Sequence, residues 1–139
     1  MGIGDFNHLP ETALALHRLT ASLVKKACFD VQAAAQAKCP VLTGYLKSSI
    51  YTHTWDSSTY GQGVTGGGPG ASLLPDLGKP PNDHTAFIGV GANYGIHIEY
   101  GTSRMAAQPY LVPAADEVRP SFQASFARME EHFRTLGVL

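Results

Sequence analysis

The chain has 139 residues, a 44% apolar fraction, 15% charged residues and a net charge of −1. That length suits one domain with one core. The near-neutral balance, with no basic stripe, argues against a protein that holds nucleic acid by its phosphates. No apolar run reaches membrane-spanning length, so neither a membrane nor a specific nucleic acid is expected among its partners.

The N-terminal residues Met1 to His8 lack the basic start and apolar stretch of a secretory signal. A myristoylation start is set aside because Phe6 stands where Ser or Thr is needed. The first element is read over residues 10–39. Pro10 suits a helix start, where its missing N–H costs nothing. Leu16, Leu19, Leu23, Ala27, Val31 and Ala34 recur at spacings of three and four, with Arg18, Lys25, Gln32 and Gln36 on the opposite side. This is the pattern of an amphipathic helix, ended by Pro40. Such a helix is about 45 Å long, more than a compact domain of this size spans. Either part of it packs on a neighbour or it breaks near its start.

Cys28 and Cys39 fall in this segment, separated along a helix by roughly 16 Å. A disulfide needs Cα atoms within about 7 Å. Two free thiols are therefore expected, suited to synthesis in a reducing cytoplasm.

Thr43-Gly44 makes a turn, followed by a short helical turn from Leu46 to Ser49. Ile50 to Trp55 reads as a strand, with Ile50, Thr52 and Thr54 on one face and Tyr51, His53 and Trp55 on the other. Residues 56–84 are rich in glycine and proline, a composition that sustains neither helix nor ladder. They read as an insertion between two paired strands, either reaching toward a neighbouring subunit or forming a disordered surface loop. Leu73, Leu74 and Leu77 allow its middle to dock. Thr85 to Ala92 returns to strand character, and Gly89 and Gly91 on one face suggest close approach by another backbone.

Asn93 to Tyr100 carries two signals. Alternation of Ile96, Ile98 and Tyr100 argues for a strand. Asn93 as an N-cap and Gly101 as a left-handed C-cap argue for a short helix, which is the reading adopted. The last element, residues 113–137, places Val118, Phe122, Phe126, Met129, Phe133 and Leu136 along one apolar seam. Pro120 predicts a kink or a second start within it. The fold class expected is α+β in one domain: a long N-terminal helix, a small antiparallel sheet with a long insertion, and a C-terminal helix packed on the sheet.

The chemistry-bearing residues form no recognised catalytic set. Gly78-Lys79 is followed by Pro80-Pro81, which offers neither the hydroxyl nor the helix amides of a phosphate loop. The six histidines, at 8, 17, 53, 84, 97 and 132, show no metal-ligand spacing with one another or with cysteine. The cysteines carry no nucleophile signature, and Asp56, Asp76 and Asp83 lie in or beside the irregular stretch. No catalytic, cofactor-binding or metal residue is expected, and the chain is read as non-enzymatic. Glu99, between Ile98 and Tyr100, needs a partner if buried. Arg104 is the nearest basic candidate. An internal ion pair or a cap to the Gly101-Thr102 turn stands beside an intersubunit contact.

Two blocks remain. Pro40, Thr43-Gly44, Leu46-Lys47 and Ser49-Ile50 form the first. Tyr94, Glu99-Tyr100-Gly101-Thr102, Met105, Pro109-Tyr110-Leu111 and Pro113-Ala114 form the second. Together, and in this order between two helices, they resemble the neck or tail-completion (head–tail joining, minor tail) proteins of long-tailed bacteriophages. The resemblance implies a structural virion protein, assembled in the host cytoplasm as a homo-oligomeric ring, taken as sixfold, at the head–tail junction. It implies the tail terminator, tail tube and head-completion or connector proteins as partners. The family-motif and interface residues are then Thr43, Gly44, Leu46, Tyr94, Glu99, Tyr100, Gly101, Thr102, Arg104, Pro109 and Pro113. The corner Glu99 to Thr102 is expected to set the interface, and Gly101 to need a positive φ. The insertion is longer and richer in glycine than the family pattern. A small phage-associated hydrolase or nuclease, using His97 or Glu99, and a nucleic-acid-binding adaptor are the alternative readings.

Overall fold

A computed structural model describes residues 9–40 and 44–137. The elements in chain order are α1 (Leu9–Lys38), α2 (Tyr45–Ser49), β1 (Ile50–His53), β2 (Phe87–Val90), α3 (Gly95–Tyr100) and α4 (Leu111–Thr135). The fold is α+β: two long helices and a two-stranded antiparallel sheet. Thr43 and the N-terminal residues considered for a leader lie outside the described residues.

Helix α1 runs unbroken over Leu9–Lys38, so of the two alternatives for its length the break near its start is absent. It pairs with α4 in antiparallel fashion: Thr20 lies against Met129 with Oγ1 3.7 Å from Sδ, and Lys38 pairs with Glu117 at 2.8 Å. The other side of α1 packs on the sheet. That double duty corrects the single-stripe reading. Gln32 and Gln36, assigned to solvent, turn inward, and their side-chain amides donate to the Ile50 and Lys47 carbonyls at 3.2 and 3.5 Å. Leu19, assigned to the stripe, is 40% exposed. A helix between two layers buries more than one stripe, and its amides satisfy carbonyls at the sheet end that no strand can reach.

Strands β1 and β2 pair in the register Ile50↔Val90, Tyr51↔Gly89, Thr52↔Ile88 and His53↔Phe87. Two strands alone are marginal in water, and here both faces are covered. Ile50 joins Ala35, Cys39, Tyr45, Leu46, Ala92, Tyr110 and Ala114 in the core. Ala114 brings the first turn of α4 into the same cluster as β1. On the other face, Tyr51 lies across Gly89. A Cβ on that glycine would fall 2.3 Å from the Tyr51 ring, so the expected close approach is made by a side chain. At Gly91 it is made partly by backbone, with the Ser49 carbonyl 3.2 Å from an added Cβ.

The insertion joins the two paired strands, as expected, but it neither extends outward nor lies free of the domain. It folds back on its own sheet. The Thr59 amide donates to the Thr52 carbonyl at 2.9 Å, the Leu74 amide to Gly91 at 2.7 Å, and the Asn93 amide to Ser72 at 3.0 Å. The Tyr51 hydroxyl accepts the Leu77 amide at 3.0 Å, and the Tyr60 hydroxyl donates to the Leu74 carbonyl at 2.6 Å. Glycine supplies the bends, and Tyr51 and Tyr60, edge to face at 5.0 Å, supply the platform.

Helix α4 continues through Pro120 as one element, so of the kink or second start expected there the second start is absent. Of its seam, Met129 and Phe133 are buried, while Phe126 and Leu136 are 39% and 57% exposed. No helix among the described residues is long and apolar enough to cross a membrane.

Candidate assembly corner

The segment from Tyr94 to Pro113 forms a tight corner between α3 and α4. Tyr94 rather than Asn93 caps α3, and the cap is made by backbone alone. The Asn93 side chain is occupied elsewhere: its amide donates to the Gly70 carbonyl at 3.0 Å and its oxygen accepts the Ser72 amide at 3.3 Å. Asn93 therefore anchors the insertion instead of starting the helix.

Glu99, 6% exposed, is the lock of the corner. Its Oε2 accepts the backbone amides of Tyr110 at 2.7 Å and Leu111 at 3.0 Å, and its Oε1 accepts that of Val112 at 2.9 Å. The first four amides of a helix have no intrahelical acceptor. Tyr110 is the N-cap of α4, so these three are its first amides, and the fourth position is Pro113, which has none. One carboxylate thus satisfies every free donor at the start of α4, and its charge sits at the positive end of that helix. Burial pushes the Glu99 carboxyl up, but the amides of Leu111, Tyr110 and Val112 outweigh it and hold the group below its ordinary value. The expected pairing with Arg104 is not found: Arg104 is exposed, and its backbone amide bonds to Thr102 Oγ1 at 3.2 Å.

Gly101 has φ 79° and ψ 176°. The positive φ is as expected, but the conformation is the extended one open essentially to glycine alone, not the left-handed cap. A Cβ here would lie 2.7 Å from the Ala107 amide nitrogen and 2.9 Å from the Met105 carbonyl oxygen. Beyond it, Thr102 and Met105 exchange backbone bonds of 2.8 and 3.3 Å, and the Gln108 amide returns to the Ile98 carbonyl at 2.8 Å. Pro109 is exposed.

The two sequence blocks meet beneath this corner. The Tyr110 hydroxyl donates to the Gly95 carbonyl at 3.0 Å. A Cβ on Gly95 would meet Val90 at 2.6 Å, the Tyr110 hydroxyl at 2.9 Å and Leu46 at 3.2 Å. Burial, followed by nearby Cys39, Glu99 and Tyr94, pushes the Tyr110 phenol well up, so it remains a donor. Gly44 takes φ 82° at the start of α2, and the Tyr45 and Tyr94 rings lie 6.1 Å apart. Above this packed base, α3 presents Ile96, 62% exposed, and Tyr100, 70% exposed, at helical spacing i, i+4. Val112, 49% exposed, stands at the start of α4.

Both oxygens of Glu99 are engaged by backbone amides. The clustering that sequence spacing missed lies elsewhere: His17 of α1 meets Asp83 and His84 at the end of the insertion, with one ligand atom from each within 4.8 Å of the others. His17 and His84 are far apart in the chain, so no local motif announces them.

Comparison of the chain with protein-family profiles, with curated proteins and with solved structures finds no match.

Proposed function

We propose that this chain is a non-enzymatic structural protein of a tailed bacteriophage, a neck or tail-completion component that assembles with copies of itself into a ring at the head–tail junction. Its partners would be the tail terminator, tail tube and head-completion or connector proteins. The observation that carries the reading is the corner. Glu99 fixes α3 to α4 through bonds to three backbone amides, while Ile96 and Tyr100 of the same short helix face solvent. Large apolar side chains held outward on a rigid base suit a contact surface that loses little entropy on docking. Head-to-tail contacts between identical subunits form a ring when the rotation between neighbours closes.

The resemblance in the two sequence blocks is consistent with this, since Leu46 and Ile50 of the first block share one core with Tyr94, Tyr110, Leu111 and Ala114 of the second. The near-neutral charge speaks against a DNA-binding adaptor, and the full engagement of Glu99 speaks against a hydrolase centred there.

The test is the pair Ile96→Asp and Tyr100→Asp. Both side chains are exposed, so circular dichroism and the melting midpoint should match wild type while assembly is lost. Unchanged assembly in both variants would remove the corner from the interface.

A further inference from the structure

We propose that His17, Asp83 and His84 form a site for one divalent transition-metal ion of the zinc class, which ties the end of the insertion to α1. The inference is independent of the assembly reading. His17 Nε2 lies 2.7 Å from one oxygen of Asp83, and His84 Nε2 lies 3.7 Å from the other. The two imidazoles are 4.4 Å apart between centroids and inclined at 56°. Two neutral imidazoles and a carboxylate are a ligand set that zinc accepts and that the oxygen-seeking ions calcium and magnesium do not prefer.

Zinc binds such ligands at roughly 2.0–2.2 Å, which places ligand atoms about 3.4 Å apart around a tetrahedral ion. The present atoms, all within 4.8 Å, reach that arrangement by small side-chain rotations. Nothing packed must move: the three side chains are 47%, 32% and 42% exposed. The backbone is already positioned. His17 stands on a long helix, and the Asn82 side-chain oxygen holds the opposing turn by accepting the His84 amide at 3.0 Å and the Thr85 hydroxyl at 3.1 Å. The metal-free His17–Asp83 pair is exposed and contributes little, so an entering ion displaces almost nothing. Three protein ligands leave one position for water or a residue of another chain.

The experiment is calorimetric titration of the metal-free, full-length chain with Zn²⁺, repeated with Co²⁺ as an optical probe and with Ca²⁺ as a control. One Zn²⁺ per chain is expected, with tetrahedral-type Co²⁺ absorption and a raised melting temperature. Changes even outside the ligand shell commonly weaken metal sites about 10–100-fold. His17→Ala and His84→Ala should each therefore lower affinity at least about tenfold and abolish the thermal shift. His132→Ala, an exposed histidine of α4, should leave both unchanged. Asp83→Asn provides a third variant. Absence of saturable one-to-one binding, equal binding of Ca²⁺, or full affinity in both histidine variants would overturn the proposal and leave an ordinary surface ion pair.

Discussion

The Glu99 carboxylate lies 2.7 Å from the Tyr110 amide, so the last turn of one helix provides the N-terminal cap of the next. The ten residues between them are forced into a loop that must return within a few ångströms of where it left. That requirement explains the backbone of Gly101, the Thr102–Met105 pairing and the position of Pro113.

Replacing Glu99 tests the lock. Glu99→Gln keeps the shape but removes the charge and turns one acceptor into a donor facing an amide. Hydrogen bonds to a charged group contribute about 1.5–3 kcal/mol, so chemical denaturation should show a loss of about that size. Glu99→Ala, which also strands buried amides, should lose more.

The same residue predicts acid sensitivity. Its carboxyl is held below its ordinary value in the folded chain. A depressed carboxylate contributes stability that is complete above the unfolded pKa of about 4.3 and disappears as pH falls through the folded value. Asp56, through Lys25 and Thr54, is shifted the same way, and so is Asp76, whose desolvation is outweighed by the bonds from His53 and the Gly78 amide. Wild type should thus lose stability on acidification, and Glu99→Gln should show a shallower slope. Parallel pH profiles would contradict the Glu99 assignment.

Gly101→Ala should destabilise by at least about 1–3 kcal/mol from backbone strain alone, with the Ala107 and Met105 backbone clash in addition. A melting temperature within experimental error of wild type would show that the turn can relax.

Gly89→Ala should disturb the opposite side of the sheet. The added methyl overlaps the Tyr51 ring, and displacing that ring breaks its bond to the Leu77 amide. Faster proteolysis within residues 56–84 at unchanged helix content is the expected result.

The two thiols should be inert in the native state. Both are buried, and burial pushes each up to about 11, with Lys47 partly offsetting this at Cys39. Thiolate is the reactive form. Labelling should be slow in native buffer and should reach two equivalents in denaturant.

The long helices and the strand pair were legible because period and punctuation agree: threes and fours along α1 and α4, alternation at Ile50 to Thr54, proline at 40. Gln32 and Gln36 were misplaced because periodicity identifies one apolar face, and a helix serving two layers has two. Asn93 was misread because its residue type favours a cap, while the insertion offered it better partners at Gly70 and Ser72. Glu99 stands out in the sequence as an acid between apolar residues, but its partners are neither Arg104 nor the Gly101-Thr102 turn; they are the first amides of the next helix. Three successive amides followed by Pro113 were the available signal: a helix start with no Ser, Thr, Asp or Asn of its own must take its cap from elsewhere. The His17, Asp83 and His84 cluster depends on how the insertion returns to α1, which no local pattern encodes.

The most direct test of the proposed assembly is the native mass of the purified chain, alone and mixed with a tail-terminator protein of the proposed kind of phage. A discrete closed multimer of six copies, dissociated by Tyr100→Asp, is the expected result. A particle with the mass of one chain under both conditions would contradict it.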